Sequence, residues 1–238
     1  AGTSLHMAMD MIFSGVAKTD RDVIGLEFNG YKVTEELFDE AIAPVLEHWD
    51  ELDKSLGGID FFSEQRVVFP GIEGAFGTID IVGASKDRSI VWDWKFGRGV
   101  AVSAVENEQL MYYAWAAMHT PETAKFFKKD KPIELFICQP MVKDGEPFTR
   151  WMTTAVQLEV FARELMRAVE VAYEPDPPFN LGSWCKFCAG KPGCPKYNNL
   201  ARASLEMTRE QLVEKLGELL PYADGFIALG EEIKQLAH

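Results

Sequence analysis

At 238 residues, 47% of them hydrophobic, the chain can bury one large core, or one core with an appendage. A formal net charge of −13 argues against broad, non-specific nucleic-acid binding, which wants a basic footprint. It leaves room for a nuclease whose acidic residues are neutralised by bound metal. No apolar run reaches the length of a membrane span and no signal-peptide pattern opens the chain, so a cytoplasmic protein without a membrane partner is expected. Four cysteines, three of them clustered, suit a metal or cluster site in a reducing compartment better than a disulfide framework. The chain opens without Met, on what reads as the middle of a motif, so residues upstream of Ala1 are expected to be missing.

In chain order, His6, Met9, Asp10 and Phe13 keep a 3–4 spacing that predicts a helix over 2–13. Ile24 to Lys32 is short and extended or looped. Thr34 can cap a second helix, with Glu35 and Glu36 at its positive end, running to about Leu56 with a break at Pro44. A strand from Phe61 to Phe69 turns at Pro70-Gly71. Two further strands follow, Gly77 to Gly83 and Ser89 to Lys95. A helix over 104–119, strands over 132–139 and 148–154 and a long amphipathic helix over 157–173 complete a core that ends at Pro175-Asp176-Pro177-Pro178. A cysteine-bearing loop, Trp184 to Tyr197, precedes two tail helices, 209–220 and 224–236. The order of elements predicts an α/β fold, a mixed central sheet flanked by helices, over residues 1–178. A cysteine loop and helical tail over 179–238 are expected to pack on it.

The chain is organised around the strand pair at 77–95. Asp93 and Lys95 share a face with Val91, while Ile90, Trp92 and Trp94 fill the other, so the second strand reads as buried on both sides. Asp80 on the preceding strand joins them if the register allows. Unpaired charges in an apolar interior cost several kcal/mol, roughly, and a divalent metal held by both carboxylates would offset that cost. Asp oxygens suit Mg²⁺ or Mn²⁺, and such a cation can stabilise a phosphorane-like transition state and activate water. Lys95 can orient or deprotonate that water, or stabilise the leaving charge. Taken alone, Asp-x-Lys is more often an ordinary ion pair, since such tripeptides are common. Gln109 and Tyr113 lie four apart on one face of the next helix and can bond phosphate or metal-bound water, or remain surface residues. His6 gains weight only in their company; His48 and His119 carry none.

Gly2-Thr3-x-x-His6, Gly77-x-x-Asp80, Asp93-x-Lys95 and Gln109-x-x-x-Tyr113, in that order, resemble the PD-(D/E)xK nuclease superfamily. Within it the chain looks most like the RecB-type branch, which includes phage-encoded exonucleases and the nucleases of CRISPR adaptation. Each motif is weak alone; the four together cover roughly residues 2–113. The resemblance implies His6, Asp80, Asp93 and the Trp94 carbonyl as metal ligands and Lys95 as the catalytic lysine. It also implies Gln109 and Tyr113 as substrate-orienting residues, with Asp10, one turn after His6, in reserve.

Cys185, Cys188 and Cys194, spaced Cys-x2-Cys-x5-Cys in a Gly/Pro loop, point to a bound metal or cluster. Cys138, in an apolar run, reads as a core residue. Relatives in the resembled branch hold a 4Fe–4S cluster with three late cysteines and one before the first motif. Here that fourth cysteine is expected upstream of residue 1, with a Zn²⁺ site completed by an outside ligand, or an empty site, as alternatives. The same late cysteine spacing resembles a phage protein family. Lys125, Lys128, Lys129 and Lys131 form the densest basic cluster, read as a solvated loop rather than a phosphate patch.

The expectation is a Mg²⁺- or Mn²⁺-dependent DNA nuclease, an exonuclease by resemblance, serving phage or mobile-element DNA recombination or processing, with DNA ends or single strands and a recombination protein as partners. The alternatives are a catalytically weak DNA-end-binding module of the same fold, or a hydrolase of small phosphoesters, which the acidic charge suits better.

Overall fold

The computed structural model describes residues 2–182, 184–185 and 188–236. It divides into two compact units, Ala1–Val169 and Glu170–His238. The fold is mixed α/β. A five-stranded sheet, flanked by helices, has the order β3-β4-β5-β6-β7 and is followed by a helical C-terminal region. Its strands are β3 (Asp60–Val68), β4 (Phe76–Ala84), β5 (Ser89–Trp94), β6 (Ile133–Cys138) and β7 (Phe148–Thr153). All neighbouring pairs are antiparallel except β5 with β6. That parallel pair needs a crossover, and helix α4 (Glu108–His119) supplies it.

Every residue of β5 and β6 is buried, because apolar layers cover both faces of the sheet. On one face Ile90, Trp92 and Trp94 join Leu5, Ala8 and Met9 of α1 (Gly2–Phe13) and Val45 and Trp49 of α3 (Ala43–Leu56). On the other, Val91, Leu135 and Ile137 meet Leu110, Ala114 and Ala117 of α4 and Leu158 and Ala162 of α5 (Ala155–Ala172). Alternate residues of β5 therefore feed different cores, as its sequence requires. A second buried acid, Glu134 in β6, is neutralised by Arg88 at 2.7 Å and Arg150 at 3.4 Å. Cys138 lies fully buried in the first core, where burial pushes its thiol well up.

Thr34 caps its helix as expected, accepting from Leu37 N at 3.1 Å. The helix runs α2 (Glu35–Leu37), then a π turn over Phe38–Ile42, then α3. Pro44 lacks an N–H, and the break falls directly before it, in the first turn of α3. A two-residue hairpin, β1 (Glu27–Phe28) with β2 (Tyr31–Lys32), occupies the segment left as extended or looped. Helix α4 begins later than expected, at Glu108, because Asn107 takes the N-cap and accepts from Leu110 N at 3.1 Å. Residues 97–106 instead form an irregular strap, bent at 98–100 and turned at 105–106.

In the second unit, α6 (Pro195–Leu205) starts inside the stretch expected to be loop, with proline at its first turn. Tyr197 of α6 is buried against Tyr222 and Phe226. The tail consists of α7 (Arg209–Glu214), capped by Thr208, and α8 (Leu216–Leu236), which carries Pro221 inside it instead of breaking near residue 221. No helix among the described residues is long and apolar enough to cross a membrane.

Candidate active site

The β4–β5 pairing runs Ile81↔Trp92 and Val82↔Val91, so the next position sets Asp80 opposite Asp93. The sheet thereby answers the register question that the sequence left open. Both acids are buried, at 6% and 4% exposure. Asp80 Oδ2 accepts the Trp94 N–H at 2.6 Å, and Asp80 Oδ1 lies 3.5 Å from His6 Nε2. His6 enters from α1, where Leu5, Ala8 and Met9 bury the neighbouring face of the helix. Its Nε2 faces the Trp94 carbonyl at 3.0 Å and its Nδ1 faces the Gly2 carbonyl at 3.0 Å. Carbonyl oxygens only accept, so the ring donates to both when it is protonated, and it must give up the Nε2 proton to ligate a metal. Burial works against that charge. The hydrogen bond and charge of Asp80, helped by the Gly2 carbonyl and Glu64, outweigh it and raise the His6 pKa to about 9.

Lys95 Nζ sits 2.7 Å from Asp93 Oδ2 and donates to Gln109 Oε1 at 2.8 Å. Asp93 Oδ2, buried from water, has the Lys95 ammonium as its partner. Gln109 Nε2 donates to Asp93 Oδ1 at 3.1 Å and to the Tyr113 hydroxyl at 3.0 Å. Lys95 can only donate, which fixes the amide with its oxygen towards the lysine and its nitrogen towards the acid. The one-turn spacing of Gln109 and Tyr113 is what lets a single amide serve both. Burial, then repulsion from Asp80, raises the Asp93 pKa to about 6, against the pull of Lys95. Gly77 completes this corner. A Cβ there would stand 2.6 Å from Cε1 of Tyr113, so only glycine lets the ring lie against β4.

These groups line an open cleft of about 370 Å³, in which His6, Asp80, Asp93, Lys95, Gln109 and Tyr113 all take part. Cavities of similar or larger volume, beside His48 and between α4 and α5, contain no buried acid–lysine pair. Two contributors went unnoticed in the sequence. Gln139, at 3% exposure, accepts from Val102 N at 2.9 Å and donates to the Gly97 and Val100 carbonyls, tying the 97–102 strap to the cleft rim. Glu64 stands opposite Asp80 on the other side, between the pairs Ser63↔Ile81 and Gln65↔Ile79. Its pKa is raised to about 7 by burial and by the charge of Asp80. No periodic or motif signal marks either residue. Asp10, the reserve candidate, accepts from Ser63 Oγ at 3.0 Å, beside Glu64 in sequence.

Among the described residues, no three His, Cys, Asp or Glu side chains converge as a ready-made metal site. The donors of the cleft are held by internal partners: Trp94 N and His6 on Asp80, Lys95 and Gln109 on Asp93. Their chemistry nevertheless fits a hard divalent cation. They are carboxylates, an imidazole and a carbonyl, and the shielded oxygen Glu64 Oε1 lacks a hydrogen bond. In the second unit Cys185 is buried, Cys194 half-buried and Cys188 exposed. They supply thiols of the type a cluster or zinc requires but one short of four. Lys186 and Phe187 between them lie outside the described residues.

The fold and cleft define a mixed α/β protein with paired carboxylates and a lysine at the joint of its central strands. The chain belongs to the family described as "Protein of unknown function (DUF2800)", whose model matches residues 16–238. Asp80, Asp93, Lys95, Gln109 and Tyr113 fall inside the matched stretch, and His6 precedes it. The chain is also similar to a solved structure titled "Crystal structure of SSO0001". The identity is 16%, the match covers 65% of this chain and 68% of that one, and the TM-score of 0.34 is too low to carry an argument.

Proposed function

We propose that the chain is a Mg²⁺- or Mn²⁺-dependent deoxyribonuclease, acting as an exonuclease in DNA recombination or processing. The observation that carries this reading is the Asp93–Lys95 pair. A carboxylate 4% exposed sits in a strand buried along its whole length, 2.7 Å from an ammonium that opens into a cleft shared with Asp80 and His6. A scaffold gains nothing from that arrangement, because an apolar pair of like volume would cost less to bury.

His6, Asp80, Asp93 and the Trp94 carbonyl are the residues that would hold the cation. Bound there, it would supply Lewis-acid stabilisation of a phosphodiester and a more acidic water. Lys95 places its charge where a phosphate oxygen entering the cleft would meet it. Gln109 fixes that lysine and Asp93 together, and the Tyr113 hydroxyl extends the donor line along the cleft. The net charge of −13 favours a second reading, hydrolysis of small phosphoesters, whose approach needs no long basic track. Cys185, Cys188 and Cys194 are proposed to hold a 4Fe–4S cluster or Zn²⁺ apart from the chemistry.

End-labelled single- and double-stranded DNA, incubated with Mg²⁺, Mn²⁺ or EDTA, tests the proposal, with Asp93→Asn beside the wild type. Metal-dependent loss of label that vanishes in the variant supports it, and the labelled end gives the polarity. Hydrolysis of nucleotides without cleavage of polymer would replace it with the second reading. No cleavage of either, with DNA still bound, would leave an end-binding module.

A further inference from the structure

Glu64 is the one non-glycine residue of the central sheet with positive φ, at 45°. Left-handed backbone is costly for a glutamate, the more so inside a strand, where it disrupts the pleat. The disruption is visible in the cores. Phe61 and Ile81 face the first core and Phe62 and Val82 the second, yet Val67 and Ile79, beyond Glu64 and Asp80, face the second as well. Alternation slips by one residue where these two acids oppose each other. The strand register, unchanged on either side of Glu64, sets Glu64, Asp80 and Asp93 as successive residues across three neighbouring strands.

Glu134, which is fully buried where Glu64 is half-buried, has two arginines. Glu64 has no cation within ion-pair distance among the described residues, and its Oε1 is shut off from water without a hydrogen bond. Asp93, whose side chain is 6% exposed, has only the Lys95 ammonium, 2.7 Å from its Oδ2, set against two neighbouring acids. A strained backbone that delivers an uncompensated carboxylate beside Asp80 is costly for the metal-free fold. A hard cation among the three oxygens would remove that cost.

We propose that Glu64 is a further oxygen ligand of the divalent cation that Asp80 and Asp93 hold. The inference rests on the reading of the cleft as a cation site and extends it to a third strand. Glu64 then serves opposite ends in the two states: it destabilises the empty cleft and strengthens the loaded one. A merely structural residue would move both in the same direction.

The test uses the full chain, Mn²⁺ alone as probe, and two variants. Glu64→Gln keeps shape and removes charge, and Glu64→Asn suits the left-handed backbone should Gln fold poorly. Calorimetry or Mn²⁺ paramagnetic resonance gives affinity, and thermal melting in EDTA gives the stability of the empty cleft. The expected result is Mn²⁺ affinity lowered by about tenfold or more, with melting in EDTA at a higher temperature than wild type. Mn²⁺ affinity within about twofold of wild type in both variants, while Asp93→Asn abolishes binding, would overturn this inference and leave the cation site standing. A wild-type chain that binds no Mn²⁺ would overturn both.

Discussion

Gly77→Ala should damage the cleft while scarcely touching the fold. The added Cβ would lie 2.6 Å from Cε1 and 3.2 Å from Cδ1 of Tyr113, against ordinary carbon contacts of about 3.5–4.0 Å. The ring must retreat by about 1 Å. Tyr112, whose own Cε1 would stand 3.6 Å from the new methyl, crowds the same spot. Tyr113 is half-buried, so the overpacking cost should fall near the lower end of the usual range, about 1–2 kcal/mol. The functional cost is larger, because Tyr113 hydroxyl, Gln109, Asp93 and Lys95 are linked by contacts of 2.7–3.1 Å. Misplacement of positioned groups by about 1 Å can cost around 10²-fold in rate. Urea denaturation and initial cleavage rates at saturating Mn²⁺ measure the two separately. A cycle with Tyr113→Ala isolates the cause: Gly77→Ala should cost little once the ring is gone. If it lowers activity equally in both backgrounds, the close approach of this ring is not why glycine stands there.

Lys95→Met should abolish cleavage and retain Mn²⁺ binding. It should also lower the melting temperature in EDTA, since Asp93 loses its counter-charge, and the deficit should shrink below about pH 6 as Asp93 takes up a proton. Cleavage at a near wild-type rate would remove the lysine from the chemistry. The stability of the metal-free protein should fall as pH rises. His6, Glu64 and Asp93 all have raised pKa values, about 9, 7 and 6, so the folded state binds more protons than the unfolded one. The favourable contribution of His6 is complete below its ordinary value near 6.5 and is lost through about 9. The two acids become unfavourable as they ionise through about 6 and 7. Beside burial, the charges of Asp80 and Asp10 raise Glu64, and Asp80 raises Asp93 against Lys95. Melting curves in EDTA from pH 5 to pH 9 check the slope, and Asp93→Asn should lose its lower part. A flat or rising profile would contradict the charge arrangement.

Local chemistry decided much of this protein. Thr34 and Asn107 start helices because their side chains accept from N–H groups that a first turn leaves unpaired. The alternation of Ile90, Trp92 and Trp94 with Val91 and Asp93 marks a strand buried on both faces, because side chains two apart share a face. The candidates His6, Asp80, Asp93, Lys95, Gln109 and Tyr113 were legible only as an ordered set of motifs, each weak alone, and the sheet brings them to one cleft. The start of α4 was not: Ala104 and Val105 suit a helix, and the hydrogen bonds of 97–104 to Gln139 and Thr149 keep that segment out of it.

Tertiary structure alone decided which acids meet. Asp80 opposes Asp93 through the β4–β5 register, and a slip of one residue would have sent it to the other core. Glu64 sits in a polar run, Ser63-Glu64-Gln65-Arg66, that reads as a solvated strand face. Its approach to Asp80 depends on strand pairing across many residues and on a left-handed backbone that no local preference of glutamate supplies. Side-chain pattern fixes which face of an element is buried. Charges from distant segments come together only when sheet register brings those faces into line.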